Sequence, residues 1–205
     1  MTRIVLATRN DGKIAELHRI LDGVDVAGLA EFPAAPDVPE TESSFAGNAL
    51  LKARAIAAHT GLPAVADDSG LCVDALNGMP GVLSARWSGR LGSATGDKDR
   101  ANLDLVLDQI ADVAPELRRA HFACAAALVL PTGEERVVEG RMTGHLIDAP
   151  RGTGGFGYDP IFVPDGETRT TAEMFPEEKD AVSHRGKAFR ALAAVLPEVL
   201  GLRSE

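Results

Sequence analysis

Two apolar runs in this chain stop abruptly against charge, and that pattern limits the fold more than any other feature. Arg3-Ile4-Val5-Leu6-Ala7 breaks into Thr8-Arg9-Asn10-Asp11-Gly12-Lys13, and Pro63-Ala64-Val65-Ala66 ends in Asp67-Asp68-Ser69-Gly70. Two further clusters follow, Gly152-Thr153-Gly154-Gly155-Phe156-Gly157-Tyr158-Asp159-Pro160 and Lys179-Asp180-Ala181-Val182-Ser183-His184-Arg185-Gly186. Short buried strands with polar material at their ends are the signature of a sheet whose edge carries chemistry. Basic donors, paired acids and a glycine-aromatic loop are the parts needed to hold a metal-bound polyphosphate and a flat base.

Periodicity fills in the rest. Residues 3–8 read as a buried strand and Lys13–Leu21 as a helix, with Ile14, Leu17, Ile20 and Leu21 on one face. The proline-rich and acidic segment Glu31–Glu42 is a loop. Ser43 or Ser44 caps a helix over 45–59, which stops at Gly61. A strand over 63–67 follows, then a helix over 97–111 and two neighbouring strands, Phe122–Leu130 and Glu135–Thr143. A short strand at Pro160–Pro164 and a helix over His184–Leu200, with Ser183 as its cap, complete the chain. The interleaving predicts an α/β fold: a long mixed central sheet with helices packed in two lobes around a cleft. Residues 1–205 are expected to form a single domain of two lobes, a size that buries a substantial core.

Composition excludes several classes. A net charge of −9 argues against a nucleic-acid polymer as partner, since such binding needs a broad basic surface. A small anion remains compatible, because a few focused cations with a divalent ion overcome a diffuse negative field. The longest apolar run, Phe122–Leu130, is far too short to span a bilayer, and Met1-Thr2-Arg3 before four apolar residues makes no secretory signal. No membrane association and a cytoplasmic location are the expectation. Cys72 and Cys124 are the only cysteines, which supports no thiolate zinc site and suggests two buried thiols.

Each cluster has a chemical and a simpler reading. Thr8–Lys13 lies between a strand and a helix, where free N–H groups and the helix dipole favour phosphate; the simpler reading is an ordinary turn with Lys13 pairing Glu16. At the end of its strand, Asp67-Asp68 cannot aim both carboxylates at one place unless the backbone turns between them. Asp68, nearer the Ser-Gly turn, is the candidate to hold Mg²⁺ and accept a proton from attacking water, with Glu40 or Glu42 reaching the same ion. A structural Asp-Ser-Gly turn is the alternative. Gly152–Gly157 spells GxGxxG, but Pro160 and a strand follow where a dinucleotide site needs a helix, so that reading is rejected. Phe156, Tyr158 and Phe162 crowd seven residues and suit a stacking platform for a base, or else core packing. Lys179, His184 and Arg185 gather at a helix N-terminus, where cations call for an anionic or acceptor-rich ligand. Asn48 and Lys52 share a helix face and read more readily as a solvated stripe than as a phosphate contact.

Taken in order, these pieces resemble the inosine/xanthosine triphosphate pyrophosphatase family. The matching stretches are Thr8-x-Asn10-x-x-Lys13, Glu40 with Phe45-x-x-Asn48-Ala49-x-x-Lys52-Ala53, Ala66–Leu71, Pro80-Gly81-x-x-Ser84-Ala85-Arg86, Gly152–Phe162, and Lys179-x-x-x-Ser183-His184-Arg185-Gly186. The resemblance implies Mg²⁺-dependent hydrolysis of ITP, dITP and XTP to the monophosphate and pyrophosphate, by a cytoplasmic homodimer. It implies that Thr8, Arg9, Asn10, Asp11, Gly12, Lys13 and Ser69 hold the triphosphate, and that Glu40 and Asp68 bind the metal, with Asp68 as the base. Phe156, Gly157, Tyr158, Asp159, Lys179, His184 and Arg185 would read the nucleoside. Arg9 stands where glycine is frequent, and Gly47 replaces a common acid. The alternatives are a pyrophosphatase for modified pyrimidine triphosphates and a non-catalytic nucleotide sensor. Hypoxanthine and xanthine offer an O6 acceptor where adenine offers an amine, so donors from His184 or Arg185 would reject adenine at a cost of about 1–3 kcal/mol per unpaired group.

Overall fold

A computed structural model describes residues 3–9 and 25–199. The expected helix over Lys13–Leu21, and with it Asn10, Asp11, Gly12 and Lys13, lies outside the described residues. Six strands, β1 (Ile4–Leu6), β2 (Val26–Gly28), β3 (Ala64–Val73), β4 (Arg119–Val129), β5 (Glu135–Leu146) and β6 (Phe162–Pro164), form one sheet in the order β2-β1-β3-β4-β5-β6. β1 runs parallel to β2 and β3 and β5 antiparallel to β6, so the sheet is mixed, as the sequence predicts. Five α-helices are described: α1 (Phe45–Thr60), α2 (Gly89–Thr95), α3 (Lys98–Gln109), α4 (Pro176–Val182) and α5 (His184–Val199). None of the described helices is long and apolar enough to cross a membrane.

Local chemistry sets the element ends. The Ser44 hydroxyl accepts from the Gly47 N–H at 3.1 Å to start α1, and Gly61 closes it in the left-handed region at φ 67°. β3 does not stop at Asp67: it runs ten residues, straight through Asp67-Asp68-Ser69-Gly70. The expected Ser-Gly turn after the two acids is therefore absent, and strand alternation alone aims them. Two helices were not foreseen, α2 and α4; the latter opens on Pro176, a residue suited to a first helical turn, with Glu178 accepting from the Phe175 N–H at 2.9 Å.

The chain divides into two compact units, Met1–Asp68 with Cys124–Gly140 and His184–Glu205, and Ser69–Ala123 with Arg141–Ser183. In the first, alternate strand residues feed two cores. Val5, Ala64, Ala66, Ala125 and Ala127 pack with Ala49, Ala53, Ile56 and Ala57 of α1. Ile4, Leu6, Val65, Cys124, Ala126 and Leu128 pack with Ala188, Phe189, Leu192 and Leu196 of α5. The second unit has one core, in which Leu71, Val73, Phe122, Met142 and Phe162 meet Leu103, Val106 and Ile110 of α3. Phe122 and Phe162 touch there with ring centres 4.7 Å apart. Both cysteines are buried and in the thiol form.

Candidate functional site

The period of two along β3 carries the first cluster. Ala64 and Ala66 face α1 and Val65 faces α5, so continuing the count sends Asp68 to the α1 side and Asp67 to the α5 side. Hydrogen bonding agrees. Asn48, wholly buried on α1, donates its Nδ2 to Asp68 Oδ2 at 2.8 Å. Its Oδ1 accepts the Glu42 N–H at 2.9 Å, so a single amide ties the Glu40–Glu42 loop to the Asp68 carboxylate. One turn along α1, Lys52 donates its Nζ to Glu40 Oε1 at 2.8 Å. Burial opposes the Lys52 charge, but Asp67, Glu40 and Asp68 together outweigh it and hold the ammonium above its ordinary pKa. Asp67 also faces Arg185, with Nε 3.6 Å from Oδ2 and both side chains buried. Three carboxylates thus share two cations, in the first unit alone.

Gly47 belongs to the same construction. A Cβ at this position would stand 2.7 Å from the Glu42 Cβ, closer than side chains approach, so glycine is what lets the acidic loop fold back over the start of α1. The departure at Arg9 is also explained: its guanidinium donates to the Ala35 carbonyl at 3.0 Å and braces the same loop from the β1 side. Thr8, half-buried, directly precedes it.

The second cluster is the glycine loop with Lys179. Asp159 is 3% exposed and serves as its hub. Its Oδ2 accepts the Phe156 N–H at 2.8 Å and the Lys179 Nζ at 2.7 Å, while Oδ1 accepts the Thr171 hydroxyl at 2.8 Å. Gly155 makes this possible: at φ 70°, a Cβ there would collide with Asp159 Oδ2 at 2.1 Å. Lys179 lies buried with its Nζ 5.1 Å from the centre of the Phe156 ring, a cation–π placement. Tyr158 is buried, its hydroxyl donating to the Ser84 carbonyl at 2.8 Å, and that burial, with the nearby Asp99 charge, raises its pKa. Phe162 is fully buried. The three-ring platform expected from the sequence therefore reduces to Phe156, half-buried, while Tyr158 and Phe162 build the core beneath it.

The structure brings Glu40, Asp68 and Arg185 to the first cluster, and Phe156, Gly157, Tyr158, Asp159 and Lys179 to the second. Ser69 is half-buried within β3 rather than in a turn, and His184 is buried at the head of α5. The charges of Lys179 and Arg185, which seemed to demand a ligand, are met from within by Asp159 and Asp67. Asn48 and Lys52 are no solvated stripe: their partners come from other elements. Thr171 and Asp99 had no sequence signal at all.

Could the first cluster hold a divalent ion? Among the described residues no group of three or more His, Cys, Asp and Glu side chains is arranged to hold a metal. Magnesium does not need one, since it takes one or two carboxylates and keeps waters or substrate phosphate for the rest. On the α1 side the carboxylates of Glu40 and Asp68, tied down by Lys52 and Asn48, supply hard oxygen. The donor set fits.

Comparison with known proteins finds likenesses along nearly the whole chain. The profile of the Ham1 family matches residues 4–195. A dITP/XTP pyrophosphatase of Streptomyces coelicolor is 64% identical over 205 residues, 98% of this chain and 100% of that one. Among solved structures, a HAM1 protein from Coxiella burnetii aligns with TM-score 0.86 at 41% identity, over 97% of this chain and 100% of the other. A nucleoside-triphosphatase / dITP/XTP pyrophosphatase from Mycobacterium abscessus aligns with TM-score 0.75 at 57% identity, over 96% and 100%.

Proposed function

The chain belongs to the Ham1 family, and we propose that it hydrolyses non-standard purine nucleoside triphosphates, ITP, dITP and XTP, to the monophosphate and pyrophosphate. The observation that carries this reading is the buried Asn48 amide, which fixes the Asp68 carboxylate and ties it to the Glu40–Glu42 loop that Lys52 also holds. Relatives bearing the dITP/XTP pyrophosphatase name over the full chain length support it.

Asp68 takes the proton from a water that attacks the α-phosphorus. The bond from that phosphorus to the α,β-bridging oxygen breaks, and the electron pair leaves with pyrophosphate. Glu40 and Asp68 would hold Mg²⁺, which when bound would supply positive charge to the phosphate oxygens. Lys52 stays protonated through the neutral range because the surrounding acids raise its pKa, so it can turn toward phosphate without losing its charge. Thr8, Arg9, Asn10, Asp11, Gly12, Lys13 and Ser69 are assigned to the triphosphate.

Phe156, Gly157, Tyr158, Asp159, Lys179, His184 and Arg185 are assigned to the base, in two manners. Phe156 stacks; Asp159 and Tyr158 act by holding it, because their polar atoms are engaged inside the protein. Arg185, oriented by Asp67, donates to O6, which adenine cannot accept. The working enzyme is a cytoplasmic homodimer with residues 1–205 as its domain.

The test is a panel of ITP, dITP, XTP, GTP, ATP, dUTP and a methylated pyrimidine triphosphate with Mg²⁺, read by pyrophosphate release. ITP and XTP should exceed ATP by at least about 10²-fold in kcat/KM. Equal rates across the panel would remove the base-reading assignment, and absence of pyrophosphate with every substrate would remove the enzyme.

A further inference from the structure

The geometry points to Asp99, an exposed acid in the first turn of α3, as a positioning residue that sets base preference through the glycine loop. The inference rests on the reading of Phe156 as the stacking ring. A ring's direction begins with the two peptide planes that flank its Cα, because those planes fix φ and ψ. At Phe156 each plane is gripped by a carboxylate. The plane before it presents the Phe156 N–H to Asp159 Oδ2 at 2.8 Å, and the plane after it presents the Gly157 N–H to Asp99 Oδ2 at 2.9 Å. Asp159 lies next door in sequence; Asp99 reaches in from 58 residues away.

The two grips differ in kind. Asp159 is buried and also bonded to Lys179 and Thr171, so it is part of the fold. Asp99 and its bond are exposed, so this grip can be lost while the core stays intact. Asp99 is not needed to cap its own helix either: Asp97 does that, its carboxylate accepting from the Arg100 N–H at 2.9 Å. The simpler account is that an acid in a first helical turn serves only the helix dipole. That account leaves the Gly157 bond without consequence, and here the two can be separated. The dipole benefits from charge, whereas the loop needs only an acceptor oxygen, which asparagine also offers.

Asp99→Ala and Asp99→Asn in the full chain test this, with Phe156→Ala beside them. For Asp99→Ala, KM for ITP should rise about three- to tenfold, and the ITP-over-GTP ratio of kcat/KM should fall by a similar factor, as expected for one hydrogen bond to a charged acceptor. The kcat for ITP should stay within about twofold, and hydrogen exchange at the Gly157 amide should accelerate. Asp99→Asn should recover most of the KM and the ratio. Unchanged KM and ratio in Asp99→Ala, with Phe156→Ala strongly impaired, overturns the positioning role and leaves the stacking reading intact. Equal impairment in both Asp99 variants, with equal loss of melting temperature, assigns the residue to the dipole alone. If Phe156→Ala itself changes neither KM nor the ratio, both the stacking reading and this inference fall.

Discussion

The two clusters solve the problem of buried charge in opposite ways. Around β3, the five side chains Glu40, Asp67, Asp68, Lys52 and Arg185 carry three negative charges against two positive. In the glycine loop, Asp159 and Lys179 form a one-to-one pair at 2.7 Å, both nearly inaccessible. A group with surplus negative charge favours a further cation and a proton acceptor. A closed pair offers a ligand little net charge, which suits a neutral, flat base. Under the proposed function, reaction and the Arg185 contact to the base fall to the first cluster, and stacking of the base falls to the second. The strongest way to break it is Asp68→Asn, which keeps an oxygen and removes the proton acceptor. Turnover of ITP should fall about 10²- to 10⁴-fold, the range for loss of a general base. Equilibrium binding of a non-hydrolysable ITP analogue should be largely kept; unchanged kcat would take Asp68 out of the mechanism.

The closed pair should fail by a different route. Asp159→Ala leaves the Lys179 ammonium buried without its counter-charge and strands the Phe156 N–H, so stability should drop by about 3–5 kcal/mol. Denaturant unfolding reads this directly. The double change Asp159→Ala with Lys179→Met, which removes both charges, should recover much of the loss, since the penalty lies in the orphaned ion. Recovered folding without recovered ITP preference would show that the pair serves recognition as well as stability.

How much of this contrast was legible in the sequence follows from how local each contact is. The α1 boundaries were readable because Ser44 caps the third N–H of its own helix and Gly61 closes it within one turn. The mixed sheet followed from apolar runs and turn signals. What escaped was whatever depends on a distant partner. Asn48 and Lys52 looked like a solvated stripe because Asp68 and Glu40, which bury and bond them, belong to another strand and another loop. The acidic pair looked like a turn because Asp-Asp-Ser-Gly is turn chemistry by composition, yet strand pairing overrides that local preference and carries β3 through to Val73. Tyr158 and Phe162 looked like ligand surface because density of aromatics does not reveal which way a chain faces.

Asn48 lets the first cluster be tested without touching a charge. Asn48→Ala strips the donor from Asp68 and the acceptor from the Glu42 N–H, both supplied by a side chain with no exposure to solvent. A cost of about 1–3 kcal/mol in stability is expected. Because the Asp68 plane and the acidic loop lose their common tie, kcat should fall about tenfold beyond any change in folded fraction. A stability loss with kcat untouched would make Asn48 mere packing and weaken the claim that this cluster is organised for reaction.

Arg119 and Asp165 form an ion pair that does neither task. The guanidinium grips both carboxylate oxygens, at 2.8 and 2.9 Å, yet each side chain is 46% exposed. The Arg119 and Thr143 hydrogen bonds lower the Asp165 pKa to about 2. A folded-state pKa below the unfolded value of about 3.9 means the stabilisation is fully present above that value. It is lost as pH falls from about 4 toward 2. Exposure and salt screen the pair, so its contribution at neutral pH is at most about 1 kcal/mol. Asp165→Asn should accordingly shift unfolding at pH 7 by less than about 1 kcal/mol, less again at high salt, and flatten stability between pH 4 and 2 slightly. A loss at pH 7 as large as that for Asp159→Ala would mean that ion-pair geometry, not burial, sets the energetic difference between these regions.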